Sequence, residues 1–158
     1  MKKIVSNPRK IIELLFKNYF EKHKGYIELR FIEKKSSKAF SIFYSYDEFD
    51  YKVEKEIQKL NINHNVYFGV NPRPSSKEKK QEDIKHIVCL WADIDGKDFE
   101  NGKKEAKEII DKFLIQPNII VDSGNGYHCY WILKEPVIIV DEKKKLNSSN
   151  IFLALLRN

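Results

Sequence analysis

Apolar positions along the chain switch between a helical and an alternating period, and the switches divide it into short elements. Ser6-Asn7-Pro8 offers a capping side chain followed by proline at a first helical turn. Ile12, Leu15, Phe16 and Tyr19 then recur at helical spacing as far as Gly25. Residues 26–34 and 39–44 alternate apolar and polar side chains. They predict a hairpin with Lys35-Ser36-Ser37 as its turn. Phe49, Val53, Ile57 and Leu60 mark a second amphipathic helix, and 65–70 a strand.

The segment Asn71-Pro72-Arg73-Pro74-Ser75-Ser76, with the charged run to Lys85, is the clearest loop in the chain. Its lysines, Lys77, Lys79, Lys80 and Lys85, are placed to touch a phosphate backbone. Residues 86–92 form a nearly continuous apolar run, which predicts a central strand buried on both faces. Ala106, Ile109, Ile110, Phe113 and Leu114 form the stripe of a third helix, ended by Gln116-Pro117-Asn118. Residues 119–122 and 127–133 read as strands joined through Ser123-Gly124-Asn125-Gly126, where Asn-Gly is a hairpin signal. Beyond Pro136, Val137–Val140 suggests a short strand and Ile151–Leu156 a helical fragment. The order strand, helix, strand, strand in the second half, with antiparallel hairpins, argues for an α+β fold compatible with an RRM-like sheet.

With 158 residues and a hydrophobic fraction of 42%, the chain can bury a core without staples, as one domain or two small lobes. Cys89 and Cys129 lie in apolar runs, so a disulfide framework is not expected. No apolar run approaches a membrane span, and Arg9, Glu13 and Lys17 interrupt any signal-like segment. A cytoplasmic protein with no membrane partner is the expectation. The net charge of +6 favours an anionic partner such as nucleic acid or nucleotide phosphate.

Candidate chemistry sits at two strand ends. Asp93 and Asp95 directly follow the apolar run, and side chains two apart in extended backbone share a face. Such a carboxylate pair is a hard-oxygen site suited to Mg²⁺ or Mn²⁺. His128 begins the strand after the glycine-bracketed turn. Gly124 and Gly126 allow close approach of backbone, and amides of such a turn can cradle phosphate. The histidines and cysteines lack zinc-ligand spacing, and Ser123–Tyr130 lacks the Gly-Lys-Ser/Thr of a phosphate-binding loop.

Three blocks carry a resemblance: Asn65-Val66-Tyr67-Phe68-Gly69-Val70-Asn71-Pro72-Arg73, Leu90-Trp91-Ala92-Asp93-Ile94-Asp95-Gly96, and Val121 through Trp131. In order and spacing the chain resembles the RepB-like primase-polymerase domains of plasmids and mobile elements, within the archaeo-eukaryotic primase superfamily. The resemblance covers roughly Tyr26 to Pro136. It implies that Asp93 and Asp95 hold catalytic metal, Mg²⁺ or Mn²⁺. It also implies that His128 contacts the triphosphate beside Ser123, Gly124 and Gly126, and that Arg73 touches nucleotide or template.

The implied architecture is an N-terminal α/β module (1–73), a mobile basic loop (74–85), an RRM-like catalytic core (86–136) and a tail (137–158). Implied partners are a nucleoside triphosphate, single-stranded or primed DNA, and a helicase. The family's third acidic motif has no counterpart before Asn158, and Asp141 reads as a surface residue. A truncated product is therefore expected, with weaker metal binding and polymerisation at risk. A non-catalytic nucleotide-binding or nucleic-acid-binding remnant is the alternative. Asp93-Ile94-Asp95-Gly96 also matches the first motif of haloacid-dehalogenase-like phosphatases, but Lys97 stands where threonine is expected, and most of a lobe precedes it.

Overall fold

Apolar residues at helical spacing close the first element. In a computed structural model, which describes residues 3–4, 8–49, 51–77, 80 and 83–139, helix α1 spans Pro8–Phe20. Ile11, Ile12, Leu15, Phe16 and Tyr19 are all buried along one stripe of it. The expected cap at Ser6 and Asn7, and also Lys79, Val140, Asp141 and 151–156, lie outside the described residues.

The fold is α+β, with three helices and two small sheets among the described residues. Its residues group into two compact units. One comprises the described residues among 1–15 and 88–137, the other those among 16–87 with 138–139.

In the second of these units, strands β2 (Tyr26–Glu33), β3 (Ala39–Ser45) and β4 (His64–Phe68) pair in the order β3-β2-β4. Both pairings are antiparallel, with Leu29 opposite Ile42 on one side and Phe68 on the other. The predicted hairpin turn is present, with Ser37 in the left-handed region at φ 58. Ile27, Leu29 and Phe31 alternate onto one face of the central strand and are buried. Helix α2 (Tyr51–Leu60) follows β3, and Glu56 on it accepts the Tyr44 hydroxyl at 3.0 Å.

An aromatic cluster also lies in this unit. The Tyr19 hydroxyl meets His86 Nδ1 at 3.0 Å, and the His23 ring stacks on Tyr19, its centroid 5.3 Å from that of His86. Burial, and then repulsion from His23, hold His86 below the ordinary histidine value of 6.5. A lowered imidazole value favours the neutral ring in the folded chain. Its stabilising contribution is present above about 6.5 and lost as pH falls through and below that value. The melting temperature is thus expected to drop as pH is lowered through this window, and His86→Gln to flatten that slope in thermal unfolding.

The other unit holds a four-stranded sheet among its described residues. Its strands are β1 (Lys3–Ile4), β5 (His86–Asp95), β6 (Ile119–Asp122) and β7 (Gly126–Ile138), in the order β1-β6-β7-β5, with His86 and Ile87 of β5 and Ile138 of β7 grouped with the other unit. β6 and β7 are antiparallel, with Val121 opposite His128, whereas β1 lies parallel to β6. Gly126 lies against Ile94 and Asp95 while Cys89 meets Trp131, so β5 and β7 run in opposite directions. β5 and β6 therefore run the same way with β7 between them, joined by helix α3 (Gly102–Lys112). This split β-α-β order is compatible with the expected RRM-like core. Ala106 and Ile110 of α3 are buried, and Ile110 packs with Ile120 and Cys129, flanked by Ile94, Tyr127 and Trp131.

Two expectations are corrected. Among the described residues β5 is an edge strand, not a central one, and Trp91 is 55% exposed. The apolar stripe of α3 also stops short of Phe113 and Leu114. The Gln116 amide donates to the carbonyls of Ile110, Asp111 and Phe113, satisfying the open acceptors of the last turn and ending the helix there. Phe113 turns toward Trp131, and Leu114 stands 90% exposed.

Candidate functional site

The site grows from the end of β5. Strand geometry puts Asp93 and Asp95 on one face, the side chain of Asp93 57% exposed and that of Asp95 31%. β7 brings His128 to the same place, with Nε2 3.5 Å from Asp93 Oδ1. That approach is an ion pair only when the imidazole is protonated. Asp93 and His128 thus approach each other at one end of one sheet, with Asp95 two residues further along the same strand.

Glycines set how closely the backbones approach. A β-carbon on Gly126 would stand 2.9 Å from Asp95 Cα and clash with the Ile94 carbonyl. A β-carbon on Gly96 would meet the Asn125 carbonyl at 2.6 Å. The Gly96 amide instead donates to that carbonyl at 3.0 Å, tying the short helical turn Gly96–Asp98 to the hairpin turn.

The hairpin closes one residue earlier than its Asn-Gly signal suggests. Ser123 N–H donates to the Gly126 carbonyl, leaving Gly124-Asn125 as the central pair, with Gly124 at φ 94. Glycine at the first central position is the signature of a type II′ turn. Gly124 N–H donates to Asp122 and Gly126 N–H to Ser123 Oγ, so these amides are engaged within the turn.

Two lysines that sequence reasoning passed over complete the surroundings. Lys97 Nζ lies 2.7 Å from Asp95 Oδ2, and Asp95 Oδ1 accepts the Lys97 amide. The hydrogen bonds from Lys97 hold the Asp95 carboxyl below its ordinary value. Asp95 first, then Asp98 and Asp93, raise the Lys97 ammonium. The lysine ammonium is thus seated on Asp95, with Asp93 as a more distant negative charge. Lys103, in the first turn of α3, reaches Asp122 at 2.5 Å and the Gly124 carbonyl at 3.0 Å, and lies 5.1 Å from the centroid of the Tyr127 ring. Lys97 was legible as the residue after Asp-x-Asp-Gly. Nothing in the sequence linked Lys103 to a partner 19 residues away.

The donor set suits a hard divalent cation only in part. Two carboxylates are offered, and no group of three or more metal-ligating side chains converges among the described residues. Mg²⁺ is commonly bound through one or two carboxylates, with substrate phosphates and water completing the shell.

Arg73 belongs to the other unit. Its Nε and Nη2 reach Glu28 Oε2 at 2.9 and 2.8 Å, and its Nη1 donates to the Lys80 carbonyl at 2.5 Å. Ser41 donates to the remaining Glu28 oxygen at 2.8 Å. The guanidinium so placed fastens the 71–80 loop to β2.

Together these define an α+β protein with an Asp93–His128 approach and a Lys97–Asp95 ion pair at one end of a sheet. The chain is similar to a protein of Clostridium perfringens named "Replication protein". The two are 27% identical over 139 residues, which cover 79% of this chain and 30% of that protein. The chain thus spans less than a third of that relative's length. No family model matches the chain, and no solved structure matches it. Among the described residues no helix is long and apolar enough to cross a membrane.

Proposed function

We propose that the chain carries a metal-dependent nucleotidyl-transfer site of the primase-polymerase type, working in the replication of a mobile element. The approach of His128 to Asp93 on one face, beside Asp95, carries this reading. Similarity to a replication protein and the three sequence blocks support it.

In this reading Asp93 and Asp95 hold Mg²⁺ or Mn²⁺ in the place the Lys97 ammonium takes. A bound ion would supply charge neutralisation of the triphosphate for in-line transfer to a primer 3′-oxygen or an initiating nucleotide, with diphosphate leaving. His128, when protonated, donates to a phosphate oxygen and steadies the leaving diphosphate. Lys103 keeps the Ser123–Gly126 turn seated beside them. Single-stranded or primed DNA is the template partner.

A binding-only remnant is the second reading. Two observations favour it: the ammonium already seated on Asp95, and the lack of a converging third carboxylate among the described residues. Primer extension in Mn²⁺ separates the two readings, since growth of the primer rules the remnant out.

The test of the site is calorimetric. Asp93→Ala with Asp95→Ala is expected to abolish metal-dependent triphosphate binding. His128→Ala is expected to weaken it about 10–100-fold, as for one charge-assisted hydrogen bond. Unchanged binding in the double variant rejects the assignment.

A further inference from the structure

We infer that the open face of the β3-β2-β4 sheet is a platform for single-stranded nucleic acid, separate from the acid pair. This rests on the replication reading for its choice of partner, but on different residues.

The strand register defines the face. Ile27, Leu29 and Phe31 fill the buried side of β2, so Glu28, Arg30 and Ile32 point the other way. Across β2 from Arg30 stand Tyr67 on β4 and Ser41 on β3. One row of the sheet therefore presents an aromatic ring, a guanidinium and a hydroxyl, with neighbouring strands about 4.8 Å apart. Tyr67 is 50% exposed and Arg30 is exposed. Asn65, opposite Ile32, extends the exposed row along β4.

The charges on this face select the occupant. Glu28 is the one carboxylate among its strand positions, and it is buried, paired with Arg73 and hydrogen-bonded by Ser41. No carboxylate pairs with Arg30 among the described residues. The face therefore offers an uncompensated cation beside an exposed ring, with its single acid neutralised from within.

An apolar partner would leave Arg30 desolvated and unpaired, and an acidic peptide would make no use of the ring. A single strand uses both. A base stacks on Tyr67, which any base can do through its π face, while a phosphate meets Arg30. A duplex buries its bases and has nothing to place on the ring.

The experiment is fluorescence anisotropy with a labelled mixed-sequence oligonucleotide, as DNA and as RNA in parallel, with EDTA present. Chelation removes divalent cation from the acid pair, so the readout is independent of that site. Tyr67→Ala is expected to weaken binding about 5–100-fold, the span of base–aromatic stacking. Arg30→Ala is expected to reduce the slope of log affinity against log salt by about 0.7, as for one lost phosphate contact on a single strand. Both side chains are exposed, and the thermal midpoint is expected to stay that of wild type. Whichever strand shows these losses is the ligand. Wild-type affinity and salt slope in both variants, or a wild-type chain that binds neither oligonucleotide, overturns the platform. The calorimetric test of Asp93 and Asp95 is untouched by that result, so the two readings fail separately.

Discussion

Gly126→Ala is expected to lower the stability of the chain by about 3 kcal/mol, the upper end of overpacking costs, and to weaken triphosphate binding with it. The added methyl group meets main chain rather than a flexible side chain. The Ile94 carbonyl is in its path, and Asp95 Cα lies 2.9 Å away. Neither can yield unless β5 and β7 separate, and those strands carry Asp93 and His128.

Gly124→Ala makes the control. No atom lies within 4 Å of a β-carbon there, but φ is 94, so the cost is backbone strain alone, about 1–2 kcal/mol. Urea midpoints rank the two variants, and calorimetry reads the site. If Gly126→Ala unfolds at the wild-type midpoint, the strands do not approach as described.

The Gly126 contrast marks where sequence reading stops. From sequence, a glycine beside a turn implies freedom for amides to approach a ligand. The close approach it permits is to the neighbouring strand, and only the pairing of β5 with β7 reveals that. Elements with strong periodicity were legible: the α1 stripe, the hairpin of β2 and β3, and the strands around His128. The period of apolar residues is set by the face they bury.

Position within a sheet was not legible. The run 86–92 has the composition of a strand buried on both faces, yet among the described residues it lies at the edge, with Trp91 turned outward. The end of α3 was hidden for a different reason. Phe113 and Leu114 continue the helical spacing, but a side-chain amide three residues beyond Phe113 takes the carbonyls that another turn would need. The juxtaposition of Asp93, Asp95 and His128 could be proposed because each stood next to a recognisable strand end. The partners of Lys103 and Arg73 could not, since 19 and 45 residues separate them from Asp122 and Glu28 and no local pattern joins them.

Arg73→Ala follows from that long-range pair and is expected to cost about 3–5 kcal/mol, because it leaves a carboxylate buried without its cation. Glu28 is 6% exposed, and among the described residues Ser41 alone would remain to hydrogen-bond its carboxylate. The loss reaches the backbone as well. Arg73 and Tyr26 exchange both main-chain hydrogen bonds at 2.9 Å, and the guanidinium also holds the Lys80 carbonyl. Without the guanidinium the 71–80 loop loses its side-chain tie to Glu28 on β2, and trypsin is expected to cut at Lys77 and Lys80 faster than in wild type.

Glu28→Ala in the Arg73→Ala background restores part of the loss, since the stranded charge goes with it. A double-mutant cycle on urea midpoints therefore measures a coupling, where two independent sites would simply add. Additive losses, with trypsin cutting at the wild-type rate, would assign Arg73 away from the loop and return its guanidinium to the nucleotide or template contact that its sequence block suggests.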